Sequence, residues 1–172
     1  MTDVCKEDFC ALMNNLVLSA CMPHSTYEQP LPKDRSSEIA AGYFHYNLQV
    51  PGGYNINPEL SAAGLWTTPS DLARFGIEII KALKGESDCL KKETAQRMTT
   101  KAYENSPNGL GFAVNSCKKG AAFGHGGDNI GYHATMVFCP EDGSGIVVMQ
   151  NADIGMMIRN EVVNAFKELY GW

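Results

Sequence analysis

The stretch AAFGHGGDNIGYHATMVFCPEDGSGIVVMQNAD, residues 121–153, decides the fold. The period of two that is typical of β-strands occurs over Ala121–Gly124, Tyr132–Phe138 and Ile146–Gln150, and before them over Leu110–Val114. Turn sequences separate the four segments: SCKKG, GGDNIG and PEDGSG. Short turns join antiparallel neighbours, so the stretch predicts an antiparallel meander.

A helix is predicted upstream, starting at Thr68-Pro69-Ser70-Asp71. Thr68 is a hydroxyl cap, Pro69 suits the first turn, and Asp71 lies three residues beyond the cap. The helix is expected to end at Lys84-Gly85. Its buried stripe would consist of Leu72, Phe75, Ile79, Ile80 and Leu83.

Three more helices are predicted, over residues 4–18, residues 91–101 and residues 156–170. The last of these would cover one sheet face with Ile158, Val162, Phe166 and Leu169. Residues 23–58 are predicted to form loops or short strands rather than a helix, and such a long irregular segment is expected either to lie over a site or to be mobile. The fold class is therefore α+β, an antiparallel sheet meander flanked by helices. One domain, 1–172, is expected, with helices and loops over 1–107 and strands plus a closing helix over 108–172.

Composition excludes several classes of function. The chain has 172 residues, 44% of them hydrophobic, and a net charge of −5. It contains no run of Lys or Arg longer than two, so no nucleic-acid partner is expected. No apolar run approaches the ~20 residues that span a bilayer, so no membrane partner is expected either.

Cysteine and histidine usage predicts neither a disulfide scaffold nor a metal site. The six cysteines lack C-x-x-C spacing and are interpreted as reduced thiols. Reduced thiols slightly favour a cytoplasmic location, and the sequence leaves localisation open. The four histidines form no ligand pattern, and no metal or other cofactor is expected.

His125-Gly126-Gly127 is the leading candidate for function. A histidine at a strand end can donate to a substrate carboxylate, while the two glycines let a ligand backbone approach the strand edge. A structural histidine before a turn is the alternative. Trp66, in SAAGLWTTPSDLARFG, is either core packing or a pocket wall.

Two shorter patterns are interpreted as chance matches. Ser116-Cys117-Lys118-Lys119 has the spacing of S-x-x-K but lies in turn sequence rather than on a helix. Tyr103-Glu104-Asn105 matches Y-x-N, and Ser106-Pro107-Asn108 matches S-x-N, in polar loop sequence. None of them is carried forward as a catalytic group.

Three segments in order resemble the serine β-lactamase-like superfamily, in its branch of class C β-lactamases, esterases, D-aminopeptidases and penicillin-binding protein relatives. SACMPHSTY followed by EIAAGY resembles the region after that family's second motif. The family's pocket-lining loop and helix are similar to SAAGLWTTPSDLARF. Its third-motif strand and the two strands that follow are similar to NGLGFAV together with FGHGGDNIGYHATMVFCPEDGSGIVVMQNAD. The resemblance covers nearly the whole chain.

The resemblance implies roles for particular residues. His125 matches the basic residue of a K-T-G or H-x-G third motif, and Gly126 and Gly127 complete it. Asp128 would supply a backbone N–H to an oxyanion hole. Trp66, together with Tyr54 in the loop HYNLQVPGGYNINPEL, is expected to contact substrate, a small molecule or peptide with an amide, ester or β-lactam bond.

The family's S-x-x-K and Y-x-N motifs precede the region that this chain resembles. We therefore expect a C-terminal portion of a hydrolase that is inactive alone. An uncovered sheet edge and helix face would follow, with marginal stability, strand swapping or a homodimer through that edge. The alternative is a non-catalytic binding or partner module from a truncated or split gene.

Overall fold

A computed structural model describes residues 2–172, and its centre is one four-stranded antiparallel sheet in the order β1-β2-β3-β4. The strands are β1 Ala113–Cys117, β2 Gly120–Asn129, β3 Tyr132–Cys139 and β4 Ser144–Gln150. Consecutive strands pair throughout, so the predicted meander and the α+β class are confirmed.

Seven α-helices surround the sheet within the described residues: α1 Thr2–Cys5, α2 Phe9–Met13, α3 Ser19–Cys21, α4 Leu60–Ala63, α5 Pro69–Lys84, α6 Lys92–Thr99 and α7 Gly155–Tyr170. A π-helical turn spans Asn14–Leu18, and 3₁₀ turns span Lys33–Glu38 and His45–Asn47. The single helix predicted over residues 4–18 is wrong. Lys6 has a φ of 56°, which breaks the helix, and the Asp8 carboxylate then caps α2.

Helix α5 begins and ends where the sequence predicts. Thr68 Oγ1 accepts a hydrogen bond from the backbone N–H of Asp71 at 3.1 Å, and Gly85 closes the helix with a φ of 79°. The helix packs on one sheet face around a core of Ile79, Ile80, Phe112, Phe123, Met136 and Phe138. Gly76 permits this approach, because a Cβ there would lie 2.2 Å from the Phe138 ring.

Helix α7 packs on the opposite sheet face, against β3 and β4. Of its predicted inward stripe, Phe166 is half-buried as expected, but Ile158, Val162 and Leu169 are exposed, and Arg159 and Val163, each one position further along, are half-buried instead. The two stripes have the same helical period, so periodicity alone could not separate them. No helix within residues 2–172 combines the length and apolar character needed to cross a bilayer.

The turn predicted over GGDNIG is shorter than expected. Strand β2 continues to Asn129, and only Ile130 and Gly131 join it to β3. Gly131 has a φ of 78°, as a tight turn requires, while Gly126 and Gly127 keep an extended backbone paired with β3. The two motif glycines therefore lie within a strand.

The expectation that all six cysteines are reduced is wrong for Cys117 and Cys139, which form a disulfide. Cys117 ends β1 opposite Gly120 and Cys139 ends β3, and the two Cα atoms lie 6.2 Å apart, within the usual range for a disulfide. The thiols of Cys5, Cys10, Cys21 and Cys89 are free. The bonded pair removes part of the argument for a reducing compartment.

Candidate active-site groove

A groove of about 850 Å³ runs along the end of β2. Its walls are β2 from His125 to Asn129, the segment from Leu60 to Thr68, and parts of the loop from His24 to Ala40. Four of the six candidate residues that we derived from the resemblance line one wall: His125, Gly126, Gly127 and Asp128. Trp66 lines the facing wall, whereas Tyr54 is not among the lining residues.

The outer edge of β2 is unpaired along this groove. Strand β1 pairs with β2 only as far as Gly124, while β3 pairs with its other side as far as Asn129. His125 is exposed, and a Cβ on Gly127 would meet no atom within 4 Å. The edge from residue 125 to 129 can therefore bind an extended ligand backbone.

The Asp128 carboxylate is bound on the sheet face that α7 covers. Its Oδ1 lies 2.6 Å from Nδ1 of His133 and 2.9 Å from a guanidinium N–H of Arg159. The hydrogen bond with His133 lowers the pKa of the Asp128 carboxyl, and Arg159 acts in the same direction. The side chain thus stays ionised on one face, while its backbone lies on the groove edge.

Trp66 is held by both its backbone and its ring. Its N–H and C=O pair with those of Thr26 at 2.9 Å each. Tyr54 and Tyr132 make edge contacts with the indole, each with ring centroids 5.6 Å away. The indole N–H is buried and lacks an acceptor. Tyr54 therefore supports the groove wall through Trp66 rather than forming that wall itself.

Tyr132 and Asn129 also join the groove walls, and no motif in the sequence singles them out. Burial raises the pKa of Tyr132, whose hydroxyl lies 2.8 Å from the carbonyl oxygen of Ala40. The Asn129 amide donates to the carbonyl oxygen of Ala63 at 3.2 Å. Together they connect the ends of β2 and β3 to both loops of the groove.

Asp71 anchors the loop beside Trp66 and is fully buried. Its Oδ2 accepts from the backbone N–H of His24 at 2.7 Å and from Ser25 Oγ at 2.9 Å. Arg74 donates to the other oxygen at 2.7 Å. Sequence reasoning identified Asp71 only as a capping residue, because its partners lie 46 and 47 positions away.

Within residues 2–172, no lysine lines the groove, and Ser61 is the only serine that does. Ser116 lies in β1, and Lys119 pairs with Asp142 at 3.6 Å. Tyr103 is 70% exposed, and Ser106 is bonded to the Asn108 carbonyl. None of these chance matches lines the groove.

Comparison with known proteins gives one family and one fold. The sequence profile of the Beta-lactamase family matches residues 4–162. Comparison with curated proteins gives no match. Three solved structures illustrate the shared fold. The D-alanine carboxypeptidase AmpC from Burkholderia cenocepacia is 20% identical with a TM-score of 0.77. A class C β-lactamase is 18% identical with a TM-score of 0.74. The octameric penicillin-binding protein homologue from Pyrococcus abyssi is 19% identical with a TM-score of 0.68.

The chain matches these structures over only part of their length. The match to the carboxypeptidase covers 99% of this chain and 57% of the solved chain. For the class C β-lactamase the two shares are 93% and 51%, and for the octameric homologue they are 88% and 35%. The chain thus spans about half the length of the first two structures and a third of the octameric homologue.

Proposed function

The chain belongs to the β-lactamase family, and from that premise we propose that its groove is one wall of a serine acyl-transfer site. The substrate class is an amide, ester or β-lactam. The observation that carries the proposal is the unpaired edge of β2 from His125 to Asn129, which faces an 850 Å³ groove.

Each residue of the third motif has a proposed role. The exposed His125 donates to a carboxylate or leaving group of the substrate. Gly126 and Gly127 leave room for the substrate backbone beside the strand. Asp128 donates its backbone N–H to the oxyanion, an interaction worth roughly 2.7–4 kcal/mol in the transition state. Trp66 forms the facing wall.

The nucleophile and its base are proposed to come from residues outside this sequence. The groove has no lysine, so its one serine has no neighbouring amine to accept a proton. Without a nucleophile the chain would make no covalent acyl intermediate. We therefore propose that the chain is the C-terminal part of such an enzyme and is inactive alone.

The test begins with the nucleotide sequence upstream of the Met1 codon, where an open frame carrying S-x-x-K and Y-x-N is expected. The joined or co-expressed product should hydrolyse ester and β-lactam substrates, and His125→Ala should lower its kcat/KM. His45→Ala is the matched control, because His45 is exposed and does not line the groove. An equal effect of the two substitutions would contradict the proposal.

A non-catalytic binding module is the second candidate, favoured by the absence of lysine from the groove. Such a module would bind a peptide or small molecule along β2 without turnover. Titration with acyl-D-alanyl peptides, followed through the amide resonances of residues 125–129, separates the two. Saturable shifts without hydrolysis by the completed protein would support the module.

We also propose that the isolated chain forms a homodimer through β4. This edge strand contains no charged residue and no proline, the usual protections against pairing. Met157 and Ile158, exposed on the adjoining α7, extend the apolar surface. Light scattering should report a dimer, and a monodisperse monomer with a high unfolding midpoint would count against it.

A further inference from the structure

We propose that His133 and Arg159 are positioning residues that hold the Asp128 end of β2 at the groove and neutralise its carboxylate from behind. The catalytic role of these two residues rests on the proposed function, whereas their contacts with Asp128 do not depend on it. These contacts lie on the sheet face that α7 covers, where His133 and Asp128 also line the end of the groove.

The contact between β2 and β3 is a direct cross-strand pair. Asp128 and His133 are register partners, and their side chains meet at 2.6 Å. His133 is only 6% exposed. Its second ring nitrogen lies 3.4 Å from Oδ1 of Asp153, and the same oxygen accepts from the Gly131 N–H at 2.7 Å. His133 therefore hydrogen-bonds across β2 and β3, while its second nitrogen lies near the segment that leads into α7 without a hydrogen bond among the described residues.

Arg159 adds α7 to this arrangement. It donates to the Asp128 carboxylate at 2.9 Å and lies 3.4 Å from the Ala134 carbonyl oxygen. The Arg159 side chain is 12% exposed, whereas that of Asp128 is 53% exposed, so water screens the pair in part. A guanidinium held in this way fixes both the position and the charge of its carboxylate partner.

Strand β2 needs such support because it has only one strand partner beyond Gly124. On the groove side, the Asn129 amide binds the Ala63 carbonyl oxygen. On the other side, the Asp128 carboxylate forms hydrogen bonds, among residues 2–172, with the side chains of His133 and Arg159. Removing them would leave the proposed oxyanion donor at the end of a strand supported from one side.

The same contacts also offset the negative charge of the Asp128 carboxylate. An unpaired carboxylate beside a developing oxyanion would oppose it because like charges repel, and water around the half-exposed Asp128 screens that repulsion only in part. Arg159 supplies a fixed positive charge to Asp128. The carboxylates that face the His133 ring are those of Asp128 and Asp153.

The test uses the full 172-residue chain and ¹⁵N relaxation of its backbone. Arg159→Gln should lower the order parameters of residues 125–129 from about 0.85 to below about 0.6, the range of flexible backbone. Lys119→Gln is the matched control, since it breaks an exposed ion pair in a turn outside the groove. It should leave the order parameters of residues 125–129 unchanged.

A second substitution separates positioning from general stability. His133→Asn keeps an amide donor toward Asp128, so residues 125–129 should stay rigid, whereas His133→Leu removes that donor and should lower their order parameters. Unchanged order parameters in Arg159→Gln, or equal order parameters in His133→Asn and His133→Leu, would overturn the proposal.

The completed enzyme gives a distinguishable readout. Arg159→Gln should lower kcat about tenfold with KM nearly unchanged, because an oxyanion donor acts mainly in the transition state. If the backbone of residues 125–129 loosens but no assembled protein hydrolyses an ester, the positioning role stands and the proposed function fails. If hydrolysis occurs and kcat does not change, the positioning role fails alone.

Discussion

Replacing Asp71 should loosen the Trp66 wall of the groove and destabilise the protein. Asp71→Ala removes the carboxylate that accepts from the part-buried His24 N–H and one of two partners of Ser25 Oγ. A hydrogen bond to a charged group contributes about 1.5–3 kcal/mol, and the Ser25 contact adds about 1 kcal/mol. Arg74 is 52% exposed and regains water, so its loss adds little. We expect a total loss of roughly 2–4 kcal/mol.

Urea unfolding, followed by circular dichroism and by tryptophan fluorescence, measures this loss. Asp71→Asn keeps one carbonyl acceptor and should lose about half as much. Glu38→Ala serves as the control, because it breaks an ion pair whose glutamate is 60% exposed and should cost less than about 0.5 kcal/mol. The anchoring role of Asp71 would be refuted by a loss no larger than that of the control.

Three further predictions concern the sheet and its covering helix. Under non-reducing conditions a thiol reagent should detect four thiols in the unfolded chain rather than six. Cys117→Ser should lower the free energy of unfolding by about 3 kcal/mol, because the disulfide closes a loop between residues 22 positions apart. Six thiols would contradict the disulfide with Cys139. The folded-state pKa of Asp128 lies below the ordinary value of 3.8, so its stabilisation is present above pH about 4 and is lost as pH falls through the folded-state pKa. In Asp128→Asn, the urea midpoint of unfolding should therefore fall less steeply as the pH is lowered below about 4. An unchanged pH dependence would argue against the lowered pKa of Asp128. Gly76→Ala should destabilise, because overpacking against Phe138 costs about 1–3 kcal/mol and exceeds the helix-propensity gain of about 1 kcal/mol. A raised thermal unfolding midpoint for Gly76→Ala would contradict this prediction, because it would show that the Phe138 ring moves aside without cost.

The sequence predicted elements whose signals are local. Thr68 and Gly85 bound α5 because a cap and a left-handed glycine act within one turn. The meander followed from its period of two. The strand through Gly126 and Gly127 was interrupted too early in the prediction, since glycine marks turns by composition while its backbone here is extended.

Features that depend on distant partners escaped prediction. The disulfide joins the ends of two strands that are 22 positions apart in the chain, and the inward face of α7 depends on where Arg159 meets Asp128. Of the candidate site, the strand residues could be derived from the family resemblance. The aromatic support of Trp66 by Tyr132 could not, because it is a contact between segments far apart in the chain.

The most direct measurement is the site of covalent labelling by a fluorophosphonate or penicillin probe, read by intact and peptide mass spectrometry. The account predicts no adduct on this chain alone, and in the completed protein one adduct on the serine of an S-x-x-K motif outside these 172 residues. His125→Ala should slow that labelling. Stoichiometric labelling of any serine within this chain, Ser61 in the groove above all, would contradict the claim that the nucleophile comes from elsewhere.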